Sequence, residues 1–329
     1  MTTPVKHWQA VALSRNIDRK PLRILFQDQP VVLFRSENGI SALADRCPHR
    51  LAELSKGKII NGEIECPYHG WRFDGAGSCT AIPGLLDKVP NYHIPSYQTC
   101  EKEGVLFISR HKTETTPYLH CMEGKPVLMR LAQSRTRSDL LDTAENILDA
   151  THTHFVHKGL LRGLSDDKQK IQVDITGGDG WVEACYTGEE QQQGLVSKLL
   201  EGERTKTIGR FLYPGIAELE YWGPEGLVLA TTFHLRQADE AHVEGVGCLI
   251  GPRNGALDYL KSLAFIPMFK IALQQDRRIL GSASRNKQFF PDMDPLVGPL
   301  DILRKDMERI LEGHLPEAAN TPRTLFMEL

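Results

Sequence analysis

The sequence has no excess of basic charge. Its 329 residues carry 39 Lys and Arg against 42 Asp and Glu, a formal net charge of −3. A nucleic-acid binder would show a basic stripe, so that class is excluded. No window approaches ~18 uninterrupted apolar residues, so no membrane-spanning helix is expected. The opening stretch MTTPVKHWQA lacks the apolar core of a secretory signal, which points to the cytoplasm. There is no G-x-G-x-x-G dinucleotide fingerprint and no plant-type C-x4-C-x2-C run. Cysteine is scarce, with seven residues, an odd number. Cys79, Cys100, Cys121, Cys185 and Cys248 show no framework spacing and read as reduced thiols. Apolar residues are plentiful at 41 % of the chain, enough for ordinary cores. The length suits about two domains at ~150 residues each.

The two remaining cysteines organise the chain. Cys47 and His49 form a C-x-H pair, Cys66 and His69 a C-x-x-H pair, and residues 50–65 separate them. Pro48, Pro67 and Gly70 suggest that each pair sits on a tight loop, and Asn61-Gly62 supplies a hairpin turn between them. Two thiolates and two imidazoles are the ligand set of a Rieske [2Fe-2S] centre, with two Cys on one iron and two His on the other. Zinc also takes two Cys and two His, but C-x-H is a poor match to its usual spacings. CPHR followed by CPYHGW resembles the Rieske non-haem iron oxygenases, closest to their monooxygenase and demethylase branch. Electron-transport Rieske proteins carry an extra, disulfide-bonded Cys in each loop and usually a Ser after His-Gly. Here no extra Cys is present and Trp71 stands in the Ser position. Fewer donors to the cluster sulfurs imply a potential at the low end of the roughly −150 to +300 mV Rieske range.

The fold expected is α+β: an all-β Rieske domain over residues 1–115, then a catalytic domain over 116–329. PLRILF, VVLFR, ISALAD and VLFIS read as short strands, with turns at Glu37-Asn38-Gly39, Asp74-Gly75-Ala76-Gly77 and Glu103-Gly104. The polar stretch from His111 to Pro126 marks the boundary. Beyond it, VLMRLAQSRTR, KIQVDIT, WVEACYTG, RTKTIGRFLY, AELEYWG, LVLATTFHLRQ and HVEGVGCLIG read as antiparallel strands. Helices are expected over 142–157, near 256–266 and 268–285 with Pro267 dividing the latter two, and in GPLDILRKDMERILEG. In that last helix Ile302, Met307 and Ile310 or Leu311 lie near one face. The tail PEAANTPRTLFMEL reads as extended or partly disordered. A sheet with helices set to one side is the α+β pattern, and the resemblance implies a START-like, helix-grip form of it.

The stretch DTAENILDATHTHFVH carries a second candidate centre. On one helix Asn146, Asp149 and His152 would form a polar stripe. His157 would lie about 140° from His152, so the two converge only if the helix ends or widens between them, as π-type turns do. Spacing does not exclude His154. N-x-x-D-x-x-H-x4-H matches the family's mononuclear-iron motif, which implies His152 and His157 as ligands. Two neutral His need a carboxylate to complete the facial triad of a non-haem Fe(II) site. Asp276 stands on an otherwise apolar helix side with Phe269, Ala272, Leu273, Ile279, Leu280 and Ala283, where a lone carboxylate is costly. The family places an Asp in a similar late helix, often after an acidic or amide residue, and Gln275 fits. The competing reading pairs Asp276 with Arg277 or Arg278, leaving Asp292 or Asp294 as the ligand.

The resemblance further implies that Asp149 hydrogen-bonds an iron-ligating His and a cluster His of a neighbouring subunit, and that Asn146 bonds near the iron. It implies a homotrimeric terminal oxygenase, with electrons from a separate NAD(P)H-dependent reductase or a ferredoxin. O2 would hydroxylate a small organic substrate, aromatic or bearing an N- or O-methyl group, as in aromatic hydrocarbon catabolism. Hydroxylating such a methyl group gives a hemiacetal-type product that loses formaldehyde, so demethylation and hydroxylation share one chemistry. The competing class is a Rieske electron carrier with a non-catalytic ligand-binding domain. Tyr213, Tyr221, Trp222 and Phe233 lie on expected strands and fit either a pocket wall or the core, where buried aromatics more often sit.

Overall fold

The computed structural model describes residues 8–160, 169–188, 204–253 and 255–328. The residues read above for a signal, 1–7, lie outside these. The described chain forms two compact units, one ending at Tyr118 and the other starting at Leu119. No helix among the described residues is long and apolar enough to cross a membrane.

The first unit is all β. Its strands are β1 (Gln9–Leu13), β2 (Leu22–Phe26), β3 (Gln29–Ser36), β4 (Gly39–Ala44), β5 (Lys58–Ile60), β6 (Glu63–Glu65), β7 (Arg72–Phe73), β8 (Cys79–Ala81), β9 (Ser96–Lys102) and β10 (Val105–Ser109). Six form a sheet in the order β1-β10-β9-β4-β3-β2, and four form a smaller sheet β5-β6-β7-β8. Asn61 and Gly62 turn β5 into β6 with φ of 50° and 77°, the left-handed pair that a two-residue hairpin requires. Glu103 and Gly104 do the same between β9 and β10, with φ of 47° and 84°. Val32, Phe34, Leu43, Leu54, Ile64, Phe73 and Ile94 pack into one core with Cys47 and Cys66. Each such apolar side chain contributes roughly 1.5–3 kcal/mol on burial.

The second unit is α+β. Its sheet runs through β11 (Val127–Arg137), β12 (Lys170–Gly178), β13 (Trp181–Thr187), β14 (Lys206–Leu212), β15 (Ile216–Gly223), β16 (Gly226–Asp239), β17 (His242–Pro252) and β18 (Arg323–Glu328). The order is β11-β17-β16-β15-β14-β13-β12-β18, and every pairing is antiparallel. Ile171, Val173 and Ile175 alternate along β12 and face the main core, as the two-residue period of a strand demands. The helices are α1 (Leu140–Leu148), α2 (Thr153–Val156), α3 (Ala256–Lys287), α4 (Arg304–Leu311) and α5 (Glu317–Asn320).

Three expectations are corrected here. The single helix over 142–157 is two pieces with a break at residues 149–152. The two late helices are one, α3, which runs through Pro267. Proline forfeits one backbone bond and crowds the preceding turn. Phe265 and Phe269 flank it with ring centroids 5.7 Å apart, and both pack with Leu249 of the sheet, so the same helix side stays anchored across the defect. The tail, read as extended or partly disordered, forms α5 and the edge strand β18. Its Leu325 and Met327 sit against the core while Phe326 between them is 74 % exposed.

Candidate metal centres and an apolar cavity

The two Cys-Pro loops close in the same way. The Cys47 N–H donates to the Ala52 carbonyl, and the Leu51 N–H donates back to the Cys47 carbonyl. In the second loop the Cys66 N–H donates to Trp71 and the Gly70 N–H to Cys66. The fifth residue of each loop is left-handed, Leu51 at φ 58° and Gly70 at φ 71°, so each chain reverses within six residues. Glycine adopts that conformation freely, whereas Leu51 adopts it under strain. The result separates the ligand types. Cys47 and Cys66 are buried, while His49 and His69 are exposed with ring centroids 4.6 Å apart. Burial, and then the neighbouring Cys66, push the Cys47 thiol up to about 11. Such a thiol ionises at neutral pH only against a strong local cation, and iron–sulfur iron supplies one. Buried sulfur and surface imidazole therefore fit a [2Fe-2S] group, which Cys47, Cys66, His49 and His69 would hold. Trp71 stacks on His49 at 4.9 Å and 6°, and Tyr68 on His69 at 3.8 Å. The sequence marked Trp71 as a departure but gave no sign of these stacks.

The second centre forms where α1 breaks. Asp139 caps α1, its carboxylate accepting from the Asp142 N–H at 2.7 Å, as short polar side chains do at helix starts. At the other end Asp149 leaves helical geometry (φ −75°, ψ 119°). Its carboxylate accepts from the Thr151 N–H at 2.7 Å, the Thr151 hydroxyl at 2.6 Å and the His152 N–H at 3.1 Å. An aspartate that satisfies the next backbone groups itself ends one helix and starts another. Asn146, Asp149 and His152 are therefore not a stripe on one helix. The chain turns at Asp149, α2 makes one turn, and His152 and His157 flank it with ring centroids 5.2 Å apart.

Both rings face Asp276 on α3. His157 Nε2 lies 3.0 Å and His152 Nε2 3.6 Å from Asp276 Oδ1. Ligand atoms of the three all fall within 4.8 Å of one another. Asp276 Oδ1 is buried and has no well-aligned hydrogen-bond donor. The Gln275 Oε1 lies 2.8 Å from His157 Nδ1, so that ring nitrogen carries the proton and Nε2 presents its lone pair. Asp149 Oδ2 stands 3.4 Å from His152 Nδ1, a charge contact at the long end of hydrogen bonding. Burial works against every charge here, but the pairings outweigh it. Asp149 and Asp276 hold His152 up to about 9, and the two His hold Asp276 down to about 2. Two imidazoles and one carboxylate converging on a common point fit a non-haem Fe(II) ion with open positions. His154 is not part of this group, Asp276 faces the His pair rather than Arg277 or Arg278, and Asp292 and Asp294 are exposed.

The triad opens on a cavity of about 100 Å3. Phe265, Phe269, Ala272, Leu273 and Asp276 line it from α3 at the four- and three-residue steps of one helix side. Leu219 and Tyr221 line it from β15, with Leu229, Thr231 and Phe233 from β16 and Asn146 from α1. Of the four sheet aromatics, Tyr221 and Phe233 line the cavity, whereas Tyr213 packs on the main core. Trp222 points the other way, its indole N–H donating to Glu220 at 2.8 Å. On that far side Arg210 binds Glu183, Glu218 and Glu220 at 2.7–2.8 Å, tying β13, β14 and β15 behind the cavity wall. Phe265 and Thr231 were not singled out from the sequence. Phe265 lies on the run that Pro267 seemed to end, and a single Thr within a strand carries no periodic signal.

Comparison with known proteins identifies the first part by family and the whole by fold. Residues 7–97 match the Rieske [2Fe-2S] domain family. The oxygenase component of dicamba O-demethylase from Stenotrophomonas maltophilia is 28 % identical over 62 % of this chain and 62 % of its own. A putative toluene-4-sulfonate monooxygenase iron-sulfur subunit from Comamonas testosteroni is 39 % identical over 52 % of this chain and 51 % of its own. The matched part thus spans less than two thirds of these relatives. The crystal structure of dicamba monooxygenase bound to 3,6-dichlorosalicylic acid shares the fold, with TM-score 0.76 at 20 % identity, covering 93 % of this chain and 96 % of that one.

Proposed function

From the chain's place among the Rieske non-haem iron oxygenases, we propose that it is a terminal oxygenase acting on a small organic substrate. The observation that carries this reading is the convergence of His152, His157 and Asp276 at the wall of an apolar cavity. An electron carrier has no use for such a triad. The cluster, when bound, delivers electrons one at a time, and the mononuclear iron activates O2. Cys47, Cys66, His49 and His69 hold the first group, and His152, His157 and Asp276 the second. Gln275 holds His157 in the tautomer that leaves Nε2 free. Asp149 orients His152 while its side chain stays 28 % exposed, so it can also meet a cluster His of a neighbouring subunit in a homotrimer. The phenylalanine walls exclude water from the reacting C–H bond. Asn146 offers a neutral hydrogen-bonding amide inside the same cavity. Reducing equivalents from NAD(P)H enter through a separate reductase or ferredoxin. None of the seven cysteines forms a disulfide, which suits a reducing, cytoplasmic compartment.

Iron content and product analysis test this together. The purified protein should hold about three irons per chain, two in the cluster and one mononuclear. With a reductase, O2 and a panel of aromatic and N- or O-methyl compounds, it should release hydroxylated product or formaldehyde. Asp276→Ala should keep the cluster absorption, lose most mononuclear iron and give no product. Full iron and normal turnover in that variant would place the carboxylate elsewhere. Two irons per chain in the intact protein, with no product from any compound, would leave only an electron carrier.

A further inference from the structure

The rings beside the cluster loops form a continuous run to the surface of the first unit. His49 stacks on Trp71 with centroids 4.9 Å apart at 6°, and Trp71 stacks in turn on Tyr92, 5.3 Å away at 19°. Both separations are those of offset-stacked aromatic pairs. Tyr92 ends the run in solvent, 43 % exposed. The other imidazole, His69, stacks on Tyr68 and lies outside it. Ile82-Pro83-Gly84-Leu85 makes a tight turn, the Leu85 N–H donating to the Ile82 carbonyl at 3.1 Å and Gly84 at φ 84°. Pro at the second position and a left-handed Gly at the third are the type II pattern. Pro83 lies against the second ligand loop, its Cγ 3.0 Å from where a Cβ on Gly70 would stand. The turn therefore holds Leu85 and Leu86 outward beside the cluster loops, Leu86 fully exposed. Apolar side chains grouped in solvent on a fixed turn mark an interaction surface. Charge adds a sign. Arg46 and Arg50 flank Cys47 and His49, and both are exposed. Asp45 and Glu53 are both paired with Arg23, and Glu65 with Lys58 and Arg72, so the first ligand loop presents a basic face.

We propose that an acidic one-electron carrier protein docks on this face, and that the stack of Tyr92 and Trp71 is the path of its electrons to His49. The proposal rests on the oxygenase reading for the need of an outside donor, but not for the surface itself. Each encounter oxidises the donor by one electron and reduces the bound cluster by one, with no bond made or broken. Protein interfaces concentrate their binding in Tyr, Trp and Arg around an apolar centre, and this face combines those types. Arg46 and Arg50 steer an acidic partner, since rim charges act mainly on the rate of encounter. Leu85 and Leu86 seat it. The stacked rings then replace what would otherwise be a gap of solvent between the docked donor and His49.

The test uses the iron-loaded protein without O2. The donors are a reduced acidic plant-type [2Fe-2S] ferredoxin and two small molecules of opposite charge, the dithionite radical anion and the methyl viologen radical cation. Stopped-flow absorption follows reduction of the cluster, and calorimetry with both proteins oxidised measures docking without electron transfer. Reduction by the ferredoxin should slow roughly tenfold or more from low to high salt. Arg46→Gln combined with Arg50→Gln should lower the low-salt rate by a similar factor, slow the dithionite anion and speed the viologen cation. Leu86→Ser should weaken docking severalfold in calorimetry, by loss of buried apolar area, and leave the limiting rate at saturating ferredoxin unchanged. Tyr92→Leu should do the reverse, with docking close to the parent and a lower limiting rate, and Tyr92→Phe, which keeps the ring, should restore that rate. The absorption of the resting cluster should be the same in all variants. No reduction by the ferredoxin, a rate insensitive to salt, or an unchanged rate in the double arginine variant would overturn the proposal. So would equal limiting rates in Tyr92→Leu and the parent. Dissociation of the assembly in Leu86→Ser or the arginine variant would make this face a contact between subunits and overturn it as well. Product is scored separately, on protein reduced in advance with dithionite and then given O2 and the compound panel. Docking and reduction as described with no product would sink the oxygenase reading and leave the docking face standing. Product formation with donor reduction indifferent to these variants would do the opposite.

Discussion

A carboxylate on the apolar side of a helix is costly unless something neutralises it, and Asp276 Oδ1, with two imidazole nitrogens within 3.6 Å and no well-aligned donor, stands where an Fe(II) ion would do so. The sequence argument for Asp276 is one of chemistry, and the structure sets it beside His152 and His157. The facial triad needs an anion, and Asp276 was the acidic residue that broke an otherwise apolar helix side. Gln275 acts one step further out. Its Oε1 accepts from His157 Nδ1 at 2.8 Å and so decides which nitrogen is left for metal. Gln275→Leu keeps the volume and removes the acceptor. Fe(II) affinity at the mononuclear site should fall roughly 10- to 100-fold, the usual cost of losing such a partner. Gln275→Glu, which still accepts, should recover most of it. Metal titration with the cluster absorption as internal reference makes the measurement. Equal affinities in all three proteins would show that the amide does not set the tautomer.

Elements were legible where their pattern was local. The Asn61-Gly62 and Glu103-Gly104 turns and strands such as KIQVDIT, with its alternating Ile, Val and Ile, follow from two-residue periods and turn chemistry. The break at Asp149 was not legible, because a helix pattern continues through it. What ends the helix is the set of hydrogen bonds its carboxylate makes to Thr151 and His152, which compete with helix continuation only once the chain has turned. Pro267 misled in the opposite sense, since the packing of Phe265 and Phe269 outweighs one lost backbone bond. Three helices then meet around Asp142. Lys287 at the end of α3 pairs with Asp139 and Asp142, and Arg304 on α4 binds Asp142 at 2.8 Å and also Glu145. This clamp ties α1, which leads to His152, to α3, which carries Asp276. Burial raises the Asp142 carboxyl, but Lys287 and Arg304 more than compensate and hold it below the ordinary carboxylate range. A depressed folded-state value means that the contribution is fully present above the unfolded pKa and is lost as pH falls through the folded one. Arg304→Gln leaves Asp142 and Glu145 partly buried without their guanidinium. At neutral pH it should cost about 2–3 kcal/mol, somewhat below a fully buried pair, or about 5–10 °C in melting temperature. The difference from the parent should shrink in acid, below about pH 4, as Asp142 protonates. Thermal melts across pH check both, and a difference that grew in acid would contradict the clamp.

At the scale of the whole molecule the two ligand sets lie in separate compact units, each with its own core. Cys66→Ala should therefore remove the visible cluster absorption while the mononuclear site still takes Fe(II). His152→Ala should do the reverse. The assembly proposed is a ring of three in which the cluster of one subunit serves the iron of the next, a head-to-tail contact that closes on itself. The reading is supported at Asp149 by its contact with His152 and a side chain that is 28 % exposed. Each single mutant alone should be inactive. Co-expressed Cys66→Ala and His152→Ala chains should form mixed trimers that regain activity, because an intact cluster on one chain can then face an intact iron on its neighbour. Adding Asp149→Ala to the Cys66→Ala chain, the one with the working iron, should abolish that rescue. Adding Asp149→Ala to the His152→Ala chain should leave it in place, because that chain contributes only its cluster. The asymmetry between these two triple combinations separates a bridge from a general folding defect, which would act from either chain. Mixed trimers no more active than the single mutants would mean that electrons pass within one subunit, and Asp149 would then serve His152 alone.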